Sequence, residues 1–225
     1  VSFEDVEQRL RQLCIDTTKL TGQALLEALA VFDCGAGNLV ETRVGKESTV
    51  AIPASVEPLL YKRDRSFRLV HTHPHVAENV SLSEADVTFL WIYQGVTEIE
   101  AVLLDGSCFR ASRASAGDWD RDSLFAKTDL INMGLAAADV EYDQNLSDNI
   151  FYNEVRTHVV LRALHDFIIE DERKVGHGGR APRTYGFRYG YALSSERRER
   201  WDAPDSAELI QKWVKLTIKA FRKYC

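Results

Sequence analysis

A chain of 225 residues, 45% hydrophobic and 28% charged with a net charge of −6, is long enough for one sizeable core or a domain with an appendage. Its composition is that of an ordinary soluble protein; the charge demands no nucleic acid and no apolar run is long enough to span a bilayer. Cys14, Cys34, Cys108 and Cys225 are too scattered for a metal-ligand pair or a disulfide scaffold and point to a reducing, cytoplasmic compartment, with no secretory leader visible.

Phe3, Val6, Leu10 and Leu13 predict an amphipathic helix over residues 2–14, capped by Ser2 and ended by a break from Ile15 to Gly22. The next stretch has helix-forming composition, but Cys34-Gly35-Ala36-Gly37-Asn38 is a turn, so residues 28–33 and 39–44 are expected to form a hairpin. Residues 48–52 read as a strand stopped by Pro53, and Val56, Leu59 and Leu60 as a short helix. Lys62, Arg63, Arg65 and Arg68 form a basic group, most simply exposed.

Phe67 to His73 reads as a strand, which puts His71 and His73 on one face. Pro74 stops regular pairing. After a polar loop holding His75 and Glu78, Ser83 precedes a helix over 84–94 with Asp86 in its first turn. Two imidazoles and a carboxylate are the nitrogen, nitrogen and oxygen donors of a catalytic zinc site with an open fourth place. The bland alternative is an ordinary strand followed by a helix cap, with Ser83 and Asp86 as a weak capping box.

Beyond it, residues 99–103 and 108–111 predict a hairpin around Asp105-Gly106. Residues 112–122, with Trp119, read as a loop, and 123–150 as short helices. Residues 153–172 read as a long helix whose His158 and His165 are packed or exposed rather than extra ligands. Residues 174–190 read as a basic, aromatic, glycine-rich loop. Tyr185, Phe187 and Tyr189 are its stacking surfaces if it lies over a peptide or single-stranded nucleic acid, the less favoured use. A closing helix covers 206–223. Residues 171–225 carry 13 Lys or Arg against seven acids, a basic quarter that suits a solvated surface better than an acidic partner.

His71-Thr72-His73-Pro74, followed by Leu82-Ser83-Glu84-Ala85-Asp86, resembles the core motif of the JAMM, or MPN-like, metalloprotease family. The loop between His73 and Asp86 is about two residues longer than in familiar members, a place where insertions are tolerated. The order of strand, histidine motif, helix and hairpin is similar too, so the resemblance spans roughly residues 20–112. It implies an α/β fold, a JAB/MPN-like mixed sheet flanked by helices in cytidine-deaminase-like layers. A metal-binding core over 1–112 would carry a mostly helical elaboration over 113–225.

It further implies Zn2+ held by His71, His73 and Asp86, with Ser83 helping to hold an oxyanion. The family's general base is a glutamate beside an early strand. Glu27 fits, with Ala30 where the family often has glycine, and Glu41 and Glu47 compete. The implied activity is hydrolysis of a peptide or isopeptide bond in a protein substrate, with a ubiquitin-like modifier or its conjugate as one target. Two alternatives stand beside it: an inactive MPN-like binding or scaffold domain, since some relatives have lost metal, and a metal-dependent hydrolase acting on another substrate such as nucleic acid.

Overall fold

Strand β3, Phe67–His73, lies between an antiparallel neighbour, β1 (Ala28–Asp33), and a parallel one, β4 (Val96–Leu103). The computed structural model describes residues 3–21, 26–46, 49–73, 80–113, 129, 131–137, 150–175 and 187–224. With β2 (Asn38–Val44), β5 (Cys108–Arg113) and β6 (Phe187–Ala192), the described strands form one six-stranded mixed sheet in the order β2-β1-β3-β4-β5-β6. Helices flank it, so the chain is a mixed α/β fold.

One face is covered by α1, Phe3–Thr21, whose Val6 and Leu10 pack on Ala28, Ala30, Phe32, Val70 and Val102. The helix runs past the expected break at Ile15. No glycine or proline interrupts it before Gly22, and Gln12 Nε2 donates to Asp16 Oδ1 one turn on. Beyond the apolar strip this face is ionic: Arg68 pairs with Glu98, with Glu100 at 2.5 Å and with Glu7 at 3.9 Å. Arg68 is thus committed beneath α1 rather than to an exposed basic group.

The other face carries the main core. Phe67, Leu69, Ile99, Leu103, Phe109 and Ala111 point into it, the odd-numbered set that strand alternation selects. The crossover helix α3, Glu84–Ile92, buries Val87, Leu90 and Trp91 there. The short helix α2, Glu57–Leu60, adds Leu60. Helix α4, Ile150–Val175, lays Val155, Val159, Leu164 and Ile168 on the same core. Two more helices follow, α5 (Ser195–Asp202) and α6 (Pro204–Tyr224), with α6 packed on α4. Residues 131–137 are helical and come close to both: a Cβ on Gly134 would lie 2.9 Å from Val160 and 3.0 Å from Phe221.

Two further expectations are corrected. Residues 49–52 form no strand; Val50 and Ile52 tuck partly against the core, and Lys46 N–H is satisfied by the Thr49 carbonyl instead. Residues 187–190, read as loop, belong to β6. Phe187 and Tyr189 are 1% and 8% exposed, so neither is a stacking surface. The expected capping by Ser2, the loop residues Pro74, His75 and Glu78, Trp119, and Tyr185 lie outside the described residues. Among the described residues, no helix is long and apolar enough to cross a membrane.

Helix α5 is fastened by charge. Arg197, 2% exposed, pairs with Glu154 of α4 and, at 2.8 Å, with Asp105 of the β4–β5 turn. One oxygen of Glu154 also takes Arg200 (2.5 Å) and the Trp201 indole N–H (3.0 Å). Removing the Glu154 charge leaves the buried Arg197 guanidinium with Asp105 as its remaining carboxylate. Glu154→Gln should therefore cost about 3–5 kcal/mol of unfolding free energy, read from urea denaturation; a loss under about 1 kcal/mol would show that Asp105 alone suffices.

His158 is fully buried among Phe109, Tyr191 and Trp201. Burial, helped by the charge of Arg162, drives its pKa down to about 3. The unfolded chain protonates this histidine near pH 6.5 and the folded chain does not, so stability is lost as pH falls from 6.5 toward 3. In chelator-containing buffer, moving from pH 7 to 4.5 should cost the wild type about 2–3 kcal/mol more than His158→Asn. Parallel losses in the two proteins would refute this.

Candidate metal centre

Among the described residues, one group of His, Cys, Asp or Glu is close enough to hold a metal ion: His71, His73 and Asp86, with all ligand atoms within 4.8 Å of one another. Strand alternation supplies the first two. Phe67, Leu69, His71 and His73 share the core face of β3, and the last two stand where the strand leaves the apolar interior. His71 is 4% exposed and the His73 side chain 12%.

Asp86 comes from α3, and the helix cap aims it. The Ser83 side chain accepts from Asp86 N–H at 3.2 Å, while Ser83 N–H and O–H both donate to Asp86 Oδ2 at 2.6 Å. This is a complete capping box with aspartate in the glutamate place. The shorter side chain keeps its carboxylate close, with Oδ1 3.2 Å from His71 Nε2 and Oδ2 3.6 Å from His73 Nε2. The two readings of Ser83 and Asp86, helix cap and metal ligand, are thus compatible in one geometry.

The donors fit a small divalent cation. His71 Nε2 and His73 Nε2 are 2.9 Å apart, and the two histidine–carboxylate separations are 3.2 and 3.6 Å. Ligands on a tetrahedral ion with bonds near 2.05 Å stand about 3.3 Å apart. The backbone of Glu100 also favours the charged form of the His71 ring, and a hydrogen-bond partner beyond the ligand shell is common for metal-ligating imidazoles.

The electrostatics ask for positive charge. Burial opposes ionisation of Asp86, but the charges and hydrogen bonds of His71 and His73 hold it well below the usual carboxylate range. Burial would lower His71; the Asp86 charge and hydrogen bond reverse that and raise it. Two Nε2 atoms at 2.9 Å need a proton or a cation between them.

Register brings Glu27 toward the cluster. The antiparallel pairs Leu29↔His71 and Ala30↔Val70, extended by two residues, set Glu27 across from His73 on the same face. Its backbone is held by Lys46 and Gly45, each bond 2.7 Å. Its pKa is pushed up to about 7, first by burial, with His73 lowering it and Asp86 raising it. Glu41 is elsewhere: it pairs with Val31 in mid-strand and accepts from Ser55 at 2.5 Å. Glu47 lies outside the described residues. His158 and His165 take no part in the cluster; both bond Tyr189. Sequence reasoning missed Ser81 and Tyr189, whose hydroxyls meet beneath the motif at 2.7 Å, 108 positions apart.

Wild-type protein should carry about one zinc per chain, measured by elemental analysis after dialysis, and His73→Ala and Asp86→Ala should each carry almost none. Wild-type levels of metal in both variants would remove the cluster as the binding site.

No family model matches the chain, and neither the curated proteins nor the solved structures contain a significant match to it.

Proposed function

We propose that this chain is a zinc metalloprotease of JAMM type that hydrolyses a peptide or isopeptide bond in a protein substrate, a conjugate of a ubiquitin-like modifier among them. The reading is carried by Glu27, a second carboxyl that feels the charges of His73 and Asp86 beside a cluster able to chelate a metal. A structural zinc site needs no such neighbour; a hydrolytic one needs a base. The element order of strand, histidine motif, helix and hairpin is the one that the JAMM resemblance implies. On this reading residues 1–112 form the metal-binding core. The elaboration over 113–225 contributes β6 to the same sheet.

His71, His73 and Asp86 would hold the ion. Zinc in such a donor set is a Lewis acid that activates water and polarises a carbonyl. Glu27, half-buried, takes a proton from the attacking water and returns it to the leaving amine. Its elevated affinity for protons suits both transfers. Ser83 first orients Asp86; its single O–H reaches a developing oxyanion only by leaving Asp86 Oδ2, while Ser83 N–H keeps its hold on that carboxylate.

Glu27→Gln should retain zinc and lose hydrolysis of a panel of fluorogenic peptide and isopeptide conjugates by about 10²–10⁴-fold. Ser83→Ala should lose about 10²-fold or more. A Glu27→Gln protein that cleaves at the wild-type rate sinks Glu27 as base. Zinc-loaded wild type that cleaves nothing in the panel favours the scaffold alternative.

A further inference from the structure

The metal motif is gripped from the far end of the chain. Val80, Ser81 and Leu82 lie between the second histidine and α3, in neither helix nor strand, and all three are fully buried. Val80 and Leu82 sink into the main core. Ser81 carries a hydroxyl into the same interior, where a polar group needs a partner. Its partner is Tyr189 of β6, at 2.7 Å, and the same phenol hydrogen-bonds His158 Nδ1 of α4 at 3.0 Å.

Tyr189 is itself fixed at both ends. Its backbone N–H donates to His165 Nδ1 at 3.3 Å, so two histidines seven residues apart on α4 hold one tyrosine, one at the phenol and one at the main chain. Its strand position is set by pairing with Ala111 of β5. A second tie lies on the other side of Ser83: Asn132 Nδ2 donates to Glu84 Oε1 at 2.9 Å. Ser83 is thus bracketed, just before Asp86, by anchors from outside the first 112 residues.

We propose that Tyr189 is a positioning residue of the metal centre, acting through Ser81 to hold the segment that presents Ser83 and Asp86. The proposal rests on the metal-binding reading of His71, His73 and Asp86. The physical step is short. Ser81 is two residues before the cap serine and five before the ligand carboxylate. The separations within the cluster are 2.9–3.6 Å, so a shift of a few tenths of an ångström at Ser83 changes the fit of Asp86 to an ion.

The test compares Tyr189→Phe, Ser81→Ala and the double variant with wild type and His73→Ala. Zinc affinity is measured by chelator competition, the visible spectrum of the cobalt-substituted protein is recorded, and near-ultraviolet circular dichroism of the metal-free proteins confirms folding. Each single variant should bind zinc about tenfold more weakly with a shifted cobalt spectrum. The double should be no worse than either single, because both remove the same link. Single variants that melt earlier yet keep wild-type zinc affinity and cobalt spectrum overturn the proposal and leave Tyr189 a packing residue. If wild type binds one zinc, loses it in His73→Ala and matches Tyr189→Phe, the metal reading stands and this proposal alone falls. If wild type binds no zinc at all, both fall.

Discussion

The register of β3 is the constraint on which the rest depends. Its seven residues alternate between two environments that cannot be exchanged. Phe67 and Leu69 are fully buried in the main core, while Arg68 pairs with Glu98 and Glu100 on the opposite face. A slip of one residue would drive the guanidinium into hydrocarbon and turn both histidines under α1. Burying an unpaired charge costs several kcal/mol, about as much as losing two buried apolar side chains. The apolar and ionic residues at the start of the strand therefore aim the imidazoles at its end.

From that register the site assembles by short steps. Pairing with β1 carries Glu27 to His73, because the chain before β1 is still held by Gly45 and Lys46. At the next position in, Ala28 N–H is taken by the Thr72 hydroxyl at 2.8 Å. That side-chain bond keeps β1 tied to β3 at the level of the site. Parallel pairing with β4 requires a crossover, and the crossover is α3, whose first turn carries Asp86. The fourth residue of the capping box thereby becomes the third candidate ligand of the cluster. A glutamate at position 86 would satisfy the cap equally well, but its longer side chain would carry the carboxylate oxygens away from their present contacts with Nε2 of both histidines.

What was legible in the sequence was local. The hairpin of β1 and β2, the motif strand and the capped helix were readable because turn glycines, two-residue alternation and a cap serine are signals within a few positions. The trio His71, His73 and Asp86 was readable for the same reason. The choice among Glu27, Glu41 and Glu47 was not, since it depends on how β1 pairs with a strand forty residues later. Strand β6 was hidden by its composition. Phe187, Tyr189 and Tyr191 do alternate with Arg188 and Gly190, but glycine and arginine are weak strand formers and the segment resembles a loop. Its role is visible only from the sheet, where it pairs with β5 and turns Phe187 and Tyr189 inward. Contacts such as Ser81 to Tyr189 and Asp105 to Arg197 span about 90 to 110 positions and leave no pattern in the sequence.

The two faces of the sheet also handle charge differently, and the contrast bears on what the centre is for. Beneath α1, Arg11, Arg68 and Arg110 meet Glu7, Glu98 and Glu100, three guanidiniums against three carboxylates, so that face is neutral by itself. On the site face, among the described residues, Asp86 feels the charges of His71 and His73, and Glu27 those of His73 and Asp86. Burial first, with the Asp86 charge adding to it, raises the proton affinity of Glu27, and the Asp86 charge and hydrogen bond raise that of His71 against the opposing effect of burial. The site face differs in that its carboxyls meet imidazoles rather than guanidiniums, and His71, His73 and Asp86 stand close enough together to offer a place for a cation. A divalent ion fills it better than a proton, because it satisfies both Nε2 lone pairs and the carboxylate at once.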